Sequence, residues 1–153
     1  MLFRSVGTVE PRKNLARLVQ ALDRARCDLP LVVAGSPGWG DTGVEESPNV
    51  KFIGFVPEVE LPALYSSAAV FCYPSEREGF GMPVLEAMSY GTPVVTSLGT
   101  STEEVAGGAA VLVDPFDVDD IARGLDEALA RRDELSVWGL RQAARRQIGR
   151  AHV

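Results

Sequence analysis

The chain has 153 residues, 46% hydrophobic and 24% charged, which fits one globular domain with a sizeable buried core and is too short for two full domains. Lys plus Arg total 15 against 21 Asp plus Glu, a formal net charge of −6, so the surface as a whole lacks the basic excess of a nucleic-acid binder. The longest apolar runs, such as Leu31 to Gly35 and Ala68 to Cys72, are strand-sized, far below the roughly 20 residues of a bilayer span. No charged region precedes Leu2, Phe3, Arg4, Ser5 and Val6 as a signal peptide would require. Cys27 and Cys72 sit in apolar patterns without metal-ligand spacing, which predicts free thiols and a cytoplasmic, reducing location.

In chain order, six short runs rich in Val, Ile and Phe read as strands: Leu2 to Val6, Leu31 to Ala34, Val50 to Ile53, Val70 to Tyr73, Val94 to Thr96 and Ala110 to Val113. Nearly all lack polar alternation, so both faces of the sheet are expected to be covered. Between them lie segments of helical period. Leu15, Leu18, Val19 and Leu22 form a stripe opposite Arg17, Gln20 and Arg24, and further helices fit 60–67, 83–90, 118–131 and 134–147. Strands alternating with helices predict an α/β fold, a single Rossmann-like doubly wound parallel six-stranded sheet. The Gly-, Ser-, Pro- and acid-rich stretch from Ser36 to Pro48 reads as a surface loop.

The last six residues, Ile148-Gly149-Arg150-Ala151-His152-Val153, are what the common sequencing-adapter oligonucleotide AGATCGGAAGAGCACACGTC encodes when read from its third base. Residues 1–147 are therefore taken as the domain and 148–153 as a non-native tail, beyond whose start the natural chain is expected to differ. His152 is the only histidine, which removes His-dependent triads and His metal sites from consideration.

Two segments carry chemistry. Gly7-Thr8-Val9-Glu10-Pro11-Arg12-Lys13-Asn14 joins the first strand to the first helix, at the edge of a parallel sheet where ligands bind. Gly7 permits close backbone approach, Arg12 and Lys13 supply cations, and Asn14 is expected to cap the helix that begins at Leu15. Together these suit a phosphate or diphosphate; the alternative is a solvated turn. The pattern is neither a Walker P-loop nor Gly-x-Gly-x-x-Gly.

The second segment runs Pro74-Ser75-Glu76-Arg77-Glu78-Gly79-Phe80-Gly81-Met82-Pro83-Val84-Leu85-Glu86-Ala87-Met88. Gly79 and Gly81 make an open turn, and Pro83 is expected at the first position of a helix. The free N–H groups and positive dipole end of that helix form an anion site. Glu78 and Glu86 bracket it. On so apolar a helix Glu86 needs a partner, for which sugar or ribose hydroxyls are natural donors, unless it only complements the helix dipole.

Glu78 and Glu86, with Gly-Phe-Gly-Met-Pro-Val-Leu between them and Gly91-Thr92-Pro93-Val94-Val95 beyond, resemble the signature of family 4 retaining glycosyltransferases of the GT-B fold. Val6-Gly7-Thr8 through Arg12-Lys13-Asn14, Val50 to Val56, Leu61 through Leu64-Tyr65, Val70 to Ser75, Glu104-Val105 and Leu112-Val113-Asp114-Pro115 follow the same pattern. The resemblance covers about Phe3 to Leu129 and corresponds to the carboxy-terminal, donor-binding half of such an enzyme, without its amino-terminal acceptor-binding half.

That resemblance implies that Lys13 neutralises the diphosphate of a nucleotide-sugar donor, assisted by Arg12 or the backbone at Gly7, where Thr8 replaces an arginine many members carry. It implies that backbone at Phe55 and Val56 reads the nucleobase, that Glu86 accepts from the ribose hydroxyls, and that Glu78 contacts the transferred hexose. Gly79, Phe80, Gly81, Met82 and Pro83 would hold sugar or phosphate. The turn from Gly99 to Glu104 would face the acceptor. The subgroup residues Glu10 to Asn14 imply mannose from GDP-mannose, with a UDP-sugar next, passed with retention to a glycan or lipid-linked acceptor. No metal is required where a lysine, an arginine and a helix terminus meet the leaving diphosphate. Alternatives are a nucleotide-sugar epimerase, a phosphorylase-like GT-B relative, or a non-catalytic doubly wound signalling module. Asp117-Val118-Asp119 reads as a helix cap rather than a metal motif, and the late arginines as a solvated face, with peripheral contact at an anionic membrane surface as the alternative.

Overall fold

The structure is a computed structural model that describes residues 2–6, 10–35 and 47–151; of residues 2–6 and 148–151 only the backbone is described. Six strands, β1 (Leu2–Val6), β2 (Leu31–Ala34), β3 (Val50–Gly54), β4 (Ala68–Tyr73), β5 (Val94–Ser97) and β6 (Val111–Val113), form one sheet in the order β3-β2-β1-β4-β5-β6. Every pairing is parallel, with Phe3 opposite Leu31 and Phe71 opposite Val94. The order runs outward in two directions from the central pair β1 and β4, as the doubly wound expectation requires.

The helices are α1 (Leu15–Arg24), α2 (Leu61–Ser67), α3 (Met82–Ser89), α4 (Ser101–Ala106), α5 (Val118–Ala130) and α6 (Arg132–Ala151). They divide between the two faces of the sheet. Successive side chains of a strand point to opposite faces. In β4, Val70 and Cys72 accordingly join one core with Leu15 and Leu18 of α1 and Ile121 and Leu125 of α5. Phe71 and Tyr73 join the other with Tyr65 of α2, Val84 and Met88 of α3, Val105 of α4 and Ala143 of α6. All of β2, β4 and β5 is buried.

β3 departs from the expectation that both faces are covered: Lys51, Phe52 and Ile53 are exposed, Phe52 by 49%. It is an edge strand and pairs only with β2, so a run rich in Val, Ile and Phe there does not report burial. Asp117 behaves as read, its carboxylate accepting from the Asp120 amide at 3.1 Å. Cys27 and Cys72 are free thiols; burial pushes both up, Cys72 well above the ordinary thiol value, which keeps them protonated. Trp39 and most of the stretch from Ser36 to Pro48 lie outside the described residues, while Trp138 is half-exposed on α6 under the Arg131 guanidinium. No helix among the described residues is long and apolar enough to cross a membrane.

α5 reaches the sheet through Gly124. A Cβ there would run into Val113 and come within 3.3 Å of Val95 and 3.5 Å of Val111, so the helix packs where a side chain would stand. Gly124→Val is expected to lose about 1–3 kcal/mol by overpacking this contact, read as a lower urea midpoint with an unchanged slope.

Candidate donor-binding site

In an open parallel sheet, the loops leaving the carboxyl ends of the two strands at the point of reversal diverge, and the crevice between them is where ligands bind. Here that point lies between β1 and β4. Both chemical segments read from the sequence leave these two strands. Residues 7–9, which include Gly7 and Thr8, lie outside the described residues.

After β1 the chain makes one 3-10 turn, Pro11–Lys13, and Asn14 then takes a left-handed conformation at φ 65° before α1. Asn14 does not cap α1 through its side chain, contrary to expectation. Its amide, 3% exposed, is drawn away by tertiary partners: Nδ2 donates to the Pro74 carbonyl at 2.8 Å and the Pro115 carbonyl at 2.6 Å, while Oδ1 accepts from Arg17 at 3.1 Å. The Glu76 amide donates to the Arg12 carbonyl at 2.8 Å, closing the same seam.

That seam brings Arg12, Lys13 and Glu78 together. Lys13 Nζ donates to Glu78 Oε1 at 2.6 Å and to the Tyr73 hydroxyl at 2.6 Å. Arg12 reaches the same Oε1 at 3.3 Å and the Arg77 carbonyl at 3.1 Å, and is held from the other side by Glu10 at 2.7 Å. Glu78 is largely buried, with only 8% of its side chain exposed. Burial works to raise its pKa, but hydrogen bonds from Lys13 and Tyr73 and the lysine's charge outweigh burial, and the carboxyl lies below its ordinary value. Burial, with the Glu78 charge, pushes the Tyr73 phenol up, so it stays a neutral donor. Tyr73 is the residue that sequence reasoning missed. Its signal was its place as the last residue of a central strand, at the edge where ligands bind.

Gly81 supplies the turn before α3 with φ +80°, and a Cβ there would stand 2.7 Å from Thr102 Cγ2. Gly79 has open space around it, and Phe80 is exposed beside the turn. α3 begins at Met82, which makes Pro83 its second residue rather than its first, a shift that leaves the missing Pro N–H equally harmless. Glu86, one turn in, already has a protein partner: the buried Tyr65 hydroxyl donates to Oε2 at 3.0 Å. Burial and the Glu86 charge push that phenol up. Glu86 also lines a cleft with Met82, Ser89, Arg146 and Gln147 among others. Phe55, 74% exposed, and Val56 follow β3 at the same carboxyl edge and do not join the Lys13 cluster.

The segment from Gly99 to Glu104 is more ordered than the turn expected of it. Ser101–Ala106 is helix α4, with the Thr100 side chain accepting from the Thr102 amide at 3.3 Å. Ser101 donates to the Glu78 carbonyl at 2.9 Å and so braces the loop that carries Glu78.

The family described as "Glycosyl transferases group 1" matches residues 2–147. The O-antigen chain mannosyltransferase B of Escherichia coli is 42% identical over 153 aligned residues, which cover 90% of this chain and 40% of that protein. The chain thus spans well under half the length of this relative. Among solved structures, a sucrose-phosphate synthase of Thermosynechococcus elongatus superimposes with a TM-score of 0.82 at 25% identity, over 99% of this chain and 44% of that one. Anabaena HepE, in complex with UDP and glucose, gives a TM-score of 0.80 at 21% identity, over 94% of this chain and 42% of its own.

A carboxylate whose folded pKa lies below its unfolded value stabilises the fold above the unfolded pKa and loses that contribution as pH falls through the folded one. The wild type is therefore expected to be more stable than Glu78→Gln at pH 7, with the gap in urea midpoint closing below about pH 4.

Proposed function

The chain belongs to the group 1 glycosyl transferases, and from that premise we propose that it is the donor-binding half of a retaining enzyme that moves a hexosyl group from a nucleotide-diphosphate sugar. The donor is GDP-mannose, with a UDP-sugar next. The mannosyltransferase relatives support the sugar. The acceptor is a glycan or lipid-linked glycan, held by an amino-terminal half outside this sequence, and the enzyme works in the cytoplasm or peripherally at the inner face of the membrane. The observation that carries this reading is the meeting of Lys13 and Arg12, from the loop after β1, with Glu78, in the loop that leads from β4 into α3.

The chemistry follows from the leaving group. Breaking the anomeric C–O bond places negative charge on the β-phosphate, and that charge needs stabilisation more than it needs a proton. Lys13 and Arg12 supply fixed cations on a turn whose position Asn14 sets. The first amides of α3, which follow Gly81 without a side-chain cap, would add the positive end of a helix dipole. Glu86, steadied on one oxygen by Tyr65, keeps the other for ribose hydroxyls, and backbone near Phe55 and Val56 reads the base. Glu78 takes hexose hydroxyls. Binding energy from nucleotide and sugar then holds the anomeric carbon against the acceptor, and no metal is needed.

The test is calorimetric titration of the chain with GDP, UDP and ADP, each with and without magnesium. Saturable GDP binding indifferent to magnesium is expected. A preference for UDP moves the donor to a UDP-sugar, a magnesium requirement overturns the metal-free reading, and binding of none of the three overturns the donor site. Lys13→Ala and Glu86→Ala are each expected to weaken nucleotide binding by about 1–3 kcal/mol, the range for a lost charge-assisted hydrogen bond.

A further inference from the structure

The cations that would receive the diphosphate are already occupied. Around the crevice the charges cancel, with Lys13 and Arg12 against Glu78 and Glu10, and one oxygen, Glu78 Oε1, takes a hydrogen bond from each cation. A diphosphate arriving at Lys13 and Arg12 meets two cations already matched by two carboxylates. It also meets a carboxylate that would stand against its own oxygens, and like charges at such range repel strongly when partly desolvated. We propose that Glu78 is an internal counter-anion that occupies the diphosphate cations in the empty site, and that it is exchanged for the diphosphate when the donor sugar offers its carboxylate hydroxyl partners instead. The proposal rests on the donor-site reading above.

The geometry allows this exchange as a side-chain swing. The backbone of the Glu78 loop is pinned at three points: the Glu76 amide donates to the Arg12 carbonyl at 2.8 Å, Ser97 Oγ to the Ser75 carbonyl at 2.6 Å, and Ser101 Oγ to the Glu78 carbonyl at 2.9 Å. The next residue, Gly79, brings no side chain of its own to the loop, and nothing lies within 4 Å of where its Cβ would stand. Lys13 does not need to move. The Tyr73 hydroxyl holds Nζ at 2.6 Å, and the ammonium sits 4.9 Å from that ring's centroid, so the lysine keeps its place when Glu78 leaves.

Two consequences separate this from a merely structural ion pair. A nucleoside diphosphate without sugar must displace Glu78 and give it nothing, whereas the sugar nucleotide gives it hydroxyls. The wild type should therefore hold the intact donor more tightly than the nucleotide product, which favours product release after transfer. Removing the Glu78 charge should tighten binding of the bare nucleotide.

The experiment titrates wild type, Glu78→Gln and Glu78→Ala with GDP, UDP, the corresponding monophosphates and nucleosides, and GDP-mannose, after thermal melts confirm that each variant is folded. Glu78→Gln is expected to bind the preferred diphosphate about tenfold tighter than wild type, the monophosphate less so and the nucleoside unchanged, and to lose the preference for GDP-mannose over GDP. Glu78→Ala should shift in the same direction and stands in if the Gln variant does not fold. Diphosphate binding no tighter in the variants than in wild type, or tightening that is equal for nucleoside and diphosphate, overturns the proposal while leaving the donor site standing. Failure of wild type and variants alike to bind either diphosphate overturns the donor-site reading, and this proposal with it.

Discussion

A single buried amide holds the site's parts in register. Asn14, in a left-handed conformation that few residues other than glycine and asparagine tolerate, gives both its N–H groups to carbonyls of two other loops, Pro74 after β4 and Pro115 after β6. Among the described residues, without it the turn that carries Arg12 and Lys13 would be joined to the Glu78 loop by the Glu76 amide and by the charged side chains themselves. Leaving those buried carbonyls unsatisfied is costly, so the arrangement is held by backbone chemistry before any electrostatic attraction is counted. The long charged side chains then project from a stationary base.

On that base the charges form a chain of pairs with neutral phenols between them. Tyr73 supports Lys13, and Tyr65 supports Glu86. Both phenols are buried aromatic core residues whose hydroxyls emerge at the carboxyl edge, so the packing of Phe71, Tyr73 and Tyr65 in one cluster also sets the position of the polar groups. Core and site share side chains here. The close approach of α5 to β6 at Gly124 contributes indirectly, because α5 is entered through Pro115, the residue whose carbonyl Asn14 holds.

Much of this was legible without coordinates. The six strand-like runs and the helical stripes between them gave the α/β class and parallel sheet, since hydrophobic periodicity is a local property that a chain displays in its own order. The two polar segments were legible for the same reason: each is contiguous, and each sits where a strand passes into a helix. Reading them as phosphate cations and as a helix terminus needs only residue type and neighbours. β3 misled because an apolar run reports the side chain's own preference and not whether the strand lies at an edge.

Contacts between segments were the part that no local pattern could show. Asn14 has the residue type and position of a helix cap, and local physics favours that use; carbonyls 60 and 101 positions away in sequence won its amide instead. Tyr73 and Tyr65 read as core aromatics, and only the sheet order reveals that their hydroxyls end beside Lys13 and Glu86. The sequence by itself determined the fold class, the family and the inventory of charged groups, because those depend on composition and spacing along the chain. The tertiary structure alone decided which of those groups face one another, because the strand order brings together loops that the chain keeps far apart, and it is this juxtaposition that sets Glu78 on Lys13 and Arg12.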